Sequence, residues 1–154
     1  MILERVAELL SSKGLTLALA ESCTGGMISH MITDLPGASR YFMASIVTYS
    51  DSSKMSLLGV KEGTLIEHGA VSAEVAAEMA IGVRELVGSD IGLSATGIAG
   101  PGGATEEKPV GLVHFALSTG GILRTDSKVF SGDREQVRRA ASKYAMGLIL
   151  ETLG

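Results

Sequence analysis

Several classes of protein are excluded by what this sequence lacks. Its 154 residues include no Trp, one Cys and three Pro, and aromatic residues make up 4%. A lone Cys cannot form an internal disulfide and fits a reducing compartment. No apolar run is long enough to span a bilayer, and the N-terminus lacks the basic and apolar regions of a signal peptide. We therefore expect a cytoplasmic protein without a membrane partner.

Positive charge is also scarce. Lys and Arg number 13 against 17 Asp and Glu, which gives a net charge of −4. A nucleic-acid binder usually carries a basic stripe, so we expect no nucleic-acid partner. His30, His68 and His114 lack the spacing of metal ligands, and we predict no metal site. The length and the 45% hydrophobic content predict a single domain over residues 1–154.

Glycine, in contrast, is abundant, at 20 of 154 residues against a usual share of roughly 7%. No three-residue period accompanies it, which excludes a collagen-like chain. Two glycine-rich turns, Ser22–Gly26 and Thr96–Gly103, each follow an apolar run that predicts a buried strand. The position of the glycines therefore matters more than their number.

The hydrophobic pattern predicts alternating helices and strands. Strands are expected at residues 15–20, 44–49, 91–95, 110–118 and 122–130, and Thr119-Gly120-Gly121 between the last two is typical of a hairpin. Helices are expected at residues 2–12, from 27 onward, around 54–58, at 62–68, at 72–87 with Ser72 as N-cap, and after Asp133. This order predicts an α/β fold, a three-layer α/β/α sandwich with a mixed, mostly parallel sheet of about five strands.

The two glycine-rich turns suggest a binding crevice. Ligands of α/β proteins bind beyond the carboxyl ends of the strands, where glycines let backbone N–H groups approach an anion. Neither turn has the P-loop or dinucleotide-binding spacing. The alternative is that both are merely tight turns.

A hydroxyl-rich segment, Ser39–Lys54, holds a single Lys. Lys54 can act as a base toward a Ser hydroxyl only if its pKa is depressed, and Tyr49 could orient the amine; otherwise Lys54 is a surface lysine. Cys23 is either a stabilised thiolate or a small core residue. The arginines that open the last helix either bind an anion or form a solvated helix start.

Six motifs occur in the order of one known family. The chain resembles the CinA C-terminal domain family, the nicotinamide-nucleotide amidohydrolases, from about residue 5 to 150, and we expect the stand-alone form. The motifs are Ala20–Gly26, Val47–Ser50 with Lys54, Gly69–Ser72, Ala95–Pro101, Lys108–Gly111 and Phe130–Arg134.

The resemblance implies a three-layer fold, a homo-oligomer and no cofactor or metal. It implies a small-molecule nucleotide substrate, nicotinamide mononucleotide, deamidated to nicotinate mononucleotide and ammonia by a Ser–Lys mechanism. By position, Ser39 is the nucleophile, Lys54 the base and Tyr49 the assisting hydroxyl, with Ser22 as the competing nucleophile. The substrate contacts implied are Thr24, Gly25, Gly26, Thr96 and Gly97, with Arg134 or Arg138 on the phosphate.

Two alternatives stay open at this point. The chain could be a nucleotide- or phosphate-binding module without turnover, because the glycine turns would serve binding alone. A role as a DNA-uptake or repair partner is suggested only by the family's link to competence, and the acidic charge opposes it. The familiar Tyr-Ser-Asn of the family reads Tyr49-Ser50-Asp51 here, which bears on substrate preference.

Overall fold

Five strands form one sheet at the centre of the computed structural model, which describes residues 1–154. The strands are β1 (Leu17–Glu21), β2 (Phe42–Val47), β3 (Ile91–Gly97), β4 (Leu112–Ser118) and β5 (Leu123–Val129). Their order across the sheet is β2-β1-β3-β4-β5. Every predicted strand is present, with ends shifted by two residues or fewer.

Parallel and antiparallel pairing divide this sheet in half. β1 pairs in parallel with β2 and with β3, whereas β3–β4 and β4–β5 are antiparallel. The mixed five-stranded sheet is therefore confirmed, but its parallel share is smaller than the expected majority. The physical reason is that the β4–β5 hairpin adds one antiparallel pair and β4 returns along β3 to add the other.

The register brings three strand ends to one edge of the sheet. Glu21, the last residue of β1, lies opposite Val47 of β2 and Ala95 of β3. The residues that follow these strands, Ser22 and Thr48 among them, consequently emerge side by side. This edge is the crevice that the glycine-rich turns predicted.

Helices cover both faces of the sheet. They are α1 (Ile2–Lys13), α2 (Met27–Thr33), α3 (Asp51–Leu58), α4 (Glu62–His68), α5 (Ala73–Val87) and α6 (Arg134–Leu153). On one face α6 contacts α1 and α2, and on the other α5 packs on the sheet and contacts α3 and α4. None of these helices combines the length and the apolar character that crossing a membrane requires.

Local sequence explains where the long helices begin. The Ser72 hydroxyl accepts a hydrogen bond from Val75 N (3.2 Å) at the start of α5, and Asp133 accepts one from Gln136 N (2.9 Å) at the start of α6. Such caps satisfy N–H groups that the first helical turn leaves unpaired. α5 also packs tightly on α3, because a Cβ on Gly82 would collide with the backbone at Leu58.

The main hydrophobic core lies between the sheet and the α1–α2–α6 face. Its inward side chains come from alternate positions of the strands, such as Leu19, Leu93 and Phe115, and all three are fully buried. The smaller core on the α5 side includes Ala18, Ala20 and Met79. Small residues there let α5 approach the sheet closely.

Candidate active site

A cavity of about 240 Å³ opens at the carboxyl ends of β1, β2 and β3. Ser22 and Lys54 lie at its base, with Thr96 on the β3 side and Arg134 from the start of α6. The remaining lining comes from Cys23, Tyr49, Asp51, Ala70, Val71 and residues 97–100 and 102–103. Five segments distant in sequence thus meet at one point, which is typical of an active site in an α/β fold.

Ser22 and Lys54 are in direct contact in this cavity. Lys54 Nζ lies 2.9 Å from Ser22 Oγ. The Ser22 residue is 8% exposed and Lys54 only 1%. The alternative that Lys54 is a surface lysine is therefore wrong, since the side chain runs from α3 into the base of the cavity.

Burial makes the Lys54 ammonium easier to deprotonate. Burial lowers the pKa of the Lys54 ammonium below its ordinary value of 10.5, and Asp51 opposes that shift with its negative charge. Apart from Ser22, Nζ contacts only two backbone carbonyl oxygens, Thr48 O at 2.7 Å and Tyr49 O at 3.4 Å. A neutral amine has two N–H donors and one lone pair. Nζ also donates to Ser22 Oγ, and once the ammonium has lost one proton its lone pair can accept the proton of that hydroxyl.

Glu21, immediately before Ser22, holds the turn beneath this pair. Its side chain is fully buried, and its carboxylate accepts three backbone N–H bonds, from Gly26 (3.2 Å), Ile28 (3.0 Å) and Ser29 (3.1 Å). Ser45 Oγ donates a fourth bond at 3.0 Å. A buried carboxylate is tolerated when so many donors surround it. Glu21 therefore anchors the start of α2 to the end of β1.

The hydrogen bonds to Glu21 change the role predicted for the first glycine-rich turn, Ser22–Gly26. Because Glu21 takes the N–H of Gly26 and of the first residues of α2, this helix start has no free donors for a substrate anion. None of Thr24, Gly25 and Gly26 lines the cavity, so the prediction of Gly25 and Gly26 as substrate contacts is corrected, and Thr24 keeps only its backbone N–H as a candidate contact. Gly25 and Gly26 have φ of +57° and +101°, conformations that glycine adopts without steric cost. Their part is to turn the chain.

The N–H groups of Cys23 and Thr24 are free. Ser22 O accepts from Gly25 N (3.0 Å) and Thr24 O accepts from Met27 N (2.9 Å), whereas neither Cys23 N nor Thr24 N donates to any protein acceptor. These are the first two N–H groups after Ser22. Free donors beside a nucleophile can stabilise an oxyanion.

The second glycine turn lines the cavity, with Thr96 and Gly97 among the lining residues, and their role as substrate contacts stays a prediction. Thr96 Oγ1 donates to Ala70 O (3.0 Å) and thereby ties the opposite wall to β3. In the loop that follows, the N–H groups of Ala99 and Gly100 donate to no protein acceptor. This loop therefore offers backbone donors to an anionic ligand.

Tyr49 and Arg134 form the rim. The Tyr49 side chain is largely exposed, and its hydroxyl accepts a hydrogen bond from Arg134 Nη2 at 2.9 Å. Arg134 Nη1 donates to Gly100 O at 2.8 Å. The Tyr49 hydroxyl is therefore paired with Arg134 rather than with Lys54, which Tyr49 reaches only through its backbone oxygen.

Arg138 does not line the cavity. Its guanidinium donates to two backbone oxygens of the first turn, from Nε to Cys23 O and from Nη2 to Thr24 O, both at 3.0 Å. Its prediction as the phosphate ligand is corrected, because Arg138 is not part of the cavity lining and its guanidinium is engaged by the backbone of the first turn. Arg134 is the arginine that borders the cavity.

Ser39 lies at the amino end of β2, on the side of the sheet opposite to the cavity. It is an exposed residue in the short 3₁₀ turn Ala38–Arg40, which precedes β2, whereas Lys54 follows β2. The six residues of β2 separate them by about 20 Å. The assignment of Ser39 as the nucleophile activated by Lys54 is therefore corrected, and the competing candidate, Ser22, occupies that position.

Cys23 lines the cavity as a protonated thiol. Burial raises its pKa to about 11, and the nearby Arg138 cation only partly opposes that shift. A thiolate is not favoured here, so Cys23 fits the small core residue of the two alternatives. No cluster of three or more His, Cys, Asp or Glu side chains is placed to hold a metal ion.

Sequence reasoning assigned no role to two contributors to the site, Glu21 and the Ala70–Val71 wall. A carboxylate closing an otherwise apolar strand was the available signal for Glu21. Ala70 and Val71 belong to the motif Gly69–Ser72, but their residue types suggested no role at the site, since an apolar pair before a helix is common in any fold.

Comparison with known sequences relates the whole chain to one family. A model described as CinA C-terminal domain matches residues 1–153. A CinA-like protein from Syntrophotalea carbinolica is 53% identical over 149 residues, which cover 97% of this chain and 36% of that protein. One from Geotalea uraniireducens is 51% identical over 148 residues, covering 96% and 35%. The chain thus spans about a third of the length of these curated relatives.

Solved structures agree with the sequence comparison. A CinA superfamily protein from Klebsiella pneumoniae superposes with a TM-score of 0.96 at 36% identity, covering 99% of this chain and 95% of that one. A competence/damage inducible protein from Agrobacterium tumefaciens gives a TM-score of 0.95 at 35% identity, covering 97% and 92%. The three-layer α/β arrangement is therefore shared along almost the full length of these chains.

Proposed function

This chain belongs to the CinA C-terminal domain family, and on that premise we propose that it is an amidohydrolase with a Ser22–Lys54 dyad. The substrate we propose is nicotinamide mononucleotide, deamidated to nicotinate mononucleotide and ammonia. The observation that carries the proposal is the 2.9 Å contact between Lys54 Nζ and Ser22 Oγ in a buried site. A lysine that forms no salt bridge and whose pKa is lowered by burial suits a general base.

Acylation begins with the Ser22 hydroxyl. Ser22 Oγ attacks the amide carbonyl carbon while its proton passes to the neutral Lys54 amine. The carbonyl oxygen becomes an oxyanion, for which the N–H groups of Cys23 and Thr24 are the nearest free backbone donors in sequence. Each such donor is worth about 3 kcal/mol in the transition state. The Lys54 ammonium then protonates the leaving nitrogen, the C–N bond breaks, and ammonia departs.

In deacylation Lys54 again accepts a proton first and donates one afterwards. A water molecule attacks the acyl carbon of the Ser22 ester and gives its proton to Lys54. When the ester bond breaks, Lys54 returns a proton to Ser22 Oγ, and the acid product leaves. Amide and water have then become carboxylic acid and ammonia, and Ser22 and Lys54 are in their starting states.

Features of the rim support an anionic substrate with a cationic ring. Arg134 carries the positive charge at the mouth of the cavity, and the free N–H groups of Ala99 and Gly100 lie on the adjoining loop. A phosphate takes such donors readily. Asp51 adds one carboxylate to the lining, which complements the positive charge of a pyridinium ring.

The proposal is tested by ammonia release from nicotinamide mononucleotide. We expect Ser22→Ala and Lys54→Met each to lower kcat at least about 10³-fold, as for other dyads that act as a unit. Ser39→Ala is the matched control, because this exposed serine lies on the side of the sheet opposite to the cavity, and its kcat should equal that of the wild type.

Three outcomes distinguish the alternatives. A wild-type protein that releases no ammonia, yet gains thermal stability on binding the nucleotide, is a binding module and not an enzyme. Full activity in Ser22→Ala would overturn the dyad. DNA binding that weakens steeply with salt would favour the nucleic-acid partner instead.

We also propose that the chain forms a cytoplasmic homo-oligomer, as the family resemblance implies. The edge strand β2 supports this, because it carries no charged residue and exposes Met43 and Val47. Edge strands that remain unpaired are usually protected by charge. Light scattering on the purified protein tests the proposal, and a monomer at micromolar concentration would overturn it.

A further inference from the structure

We propose that Arg138 is a positioning residue that orients the oxyanion-binding N–H groups after Ser22. The inference rests on the proposed amidohydrolase function and goes beyond it. Arg138 touches neither the cavity nor the reacting pair. It reaches instead from α6 to the back of the turn that carries Ser22.

The contacts of Arg138 are directed at the peptide groups of that turn. Nε donates to Cys23 O and Nη2 donates to Thr24 O, each at 3.0 Å. No carboxylate pairs with this guanidinium, so its two strong directional bonds both go to backbone carbonyls. A planar guanidinium offers its donors as a rigid fork, which fixes two acceptors at once.

Holding a carbonyl also holds the N–H of the same peptide. In a trans peptide the C=O and the N–H point in opposite directions across one plane. When Arg138 fixes Cys23 O at the back of the turn, the N–H of Thr24 must face the other way. The bond from Gly25 N to Ser22 O (3.0 Å) does the same for the N–H of Cys23. Both N–H groups are the ones left without a protein acceptor.

Gly25 shows that the turn is built around the guanidinium. A Cβ at this position would lie 3.1 Å from Arg138 Nη2, closer than ordinary van der Waals contact. Gly25 also has φ +57°. The glycine thus meets two needs together, the backbone turn and the space for Arg138.

The test measures transition-state binding separately from ground-state binding. Pyridine-3-boronic acid carries boron where the substrate carries its amide carbon. Ser22 Oγ adds to the boron, its proton passes to Lys54, and the resulting tetrahedral anion places an oxygen where the oxyanion forms. Nicotinate mononucleotide, the product, serves as the ground-state ligand. Both Kd values are measured by calorimetry for the wild type and for Arg138→Lys.

Lysine keeps the charge but cannot hold two carbonyls in the same fork. We expect Arg138→Lys to lower kcat about 10- to 100-fold with KM changed less than threefold, because misoriented donors lose mainly transition-state stabilisation. The ratio of the boronate Kd to the product Kd should rise at least tenfold. This ratio does not depend on the folded fraction, since unfolding weakens both affinities equally, so it stays decisive for a destabilised variant.

Arg139→Lys is the matched control. Arg139 is the next residue of α6, and its guanidinium pairs on the surface with Glu135, so kcat and the Kd ratio should stay at wild-type values. An unchanged Kd ratio in Arg138→Lys, with wild-type kcat, would overturn the positioning role while leaving the dyad intact. A wild-type protein that neither releases ammonia nor binds the boronate would overturn the proposed function and this inference with it.

Discussion

Glu21→Gln probes how the segment carrying Ser22 is held. Each carboxylate oxygen of Glu21 accepts two bonds, Oε1 from the N–H groups of Gly26 and Ile28 and Oε2 from Ser29 N and Ser45 Oγ. Glutamine has nearly the same shape but turns one of those acceptors into a donor. Two of the four bonds must therefore be lost or rearranged.

The expected loss in the free energy of unfolding is worked out for the more favourable of the two orientations of the glutamine amide. With the amide oxygen toward Gly26 and Ile28, the NH₂ group faces Ser45, whose hydroxyl can rotate to accept, and Ser29 N–H, which cannot. One unpaired N–H costs about 1–3 kcal/mol, and the two surviving bonds each lose about 1 kcal/mol with the negative charge. Glutamine is uncharged, so the cost of burying the Glu21 carboxylate disappears, and this offsets part of the loss. We expect a net loss of about 3 kcal/mol.

Urea unfolding followed by circular dichroism measures this loss, and the melting temperature should fall by roughly 6–12 °C for a chain of this size. Glu85→Gln is the matched control, because Glu85 is an exposed residue of α5, and we expect a change within about 0.5 kcal/mol. A loss below about 1 kcal/mol for Glu21→Gln would refute the reasoning, since it would mean that the four bonds are replaceable.

Three further predictions concern packing, pH and thiol chemistry. Gly82→Ala should lower the free energy of unfolding by about 2 kcal/mol or more in urea unfolding, because a methyl group there collides with the α3 backbone. In the control Gly63→Ala the new methyl group lies in open space on α4, and the free energy of unfolding should not fall. The neutral Lys54 amine is the active form, so kcat/KM should rise with pH around a midpoint below 10.5. Asp51→Asn removes the negative charge that raises the Lys54 pKa, so this midpoint should move to lower pH. A midpoint that moves to higher pH contradicts the prediction. With its pKa raised to about 11 by burial, Cys23 should react with iodoacetamide at pH 8 at least about tenfold more slowly in the native protein than in urea, as mass spectrometry can show; equal rates would contradict the burial.

Much of the fold could be predicted because its signals are local. The apolar runs before Ser22 and before Thr96 became β1 and β3, and Ser72 and Asp133 cap the helices that their sequences predicted. The proportion of parallel pairing was not predictable in the same way. It depends on which neighbour each strand takes, and a hairpin signal says nothing about the strand beyond it.

Ser39 was assigned as the nucleophile by its position relative to the family motifs, and such a position gives no distance in space. Ser39 and Lys54 are 15 residues apart, but an entire strand separates them, whereas Ser22 is 32 residues from Lys54 and in contact with it. Arg134 and Arg138 are about one helical turn apart on α6. Their different partners, the rim for one and the back of the Ser22 turn for the other, depend on tertiary packing that no local pattern encodes.

The contact between α6 and the Ser22 turn has a consequence for the order of events during synthesis. The Arg138 bond to Cys23 joins residues 115 positions apart, so the turn is completed only after residue 138 has been translated. Contacts of such long range also slow folding, since a large loop must close before they form. A nascent chain can therefore pair β1 with β2 early, yet it gains a finished nucleophile turn only once α6 has left the ribosome and docked.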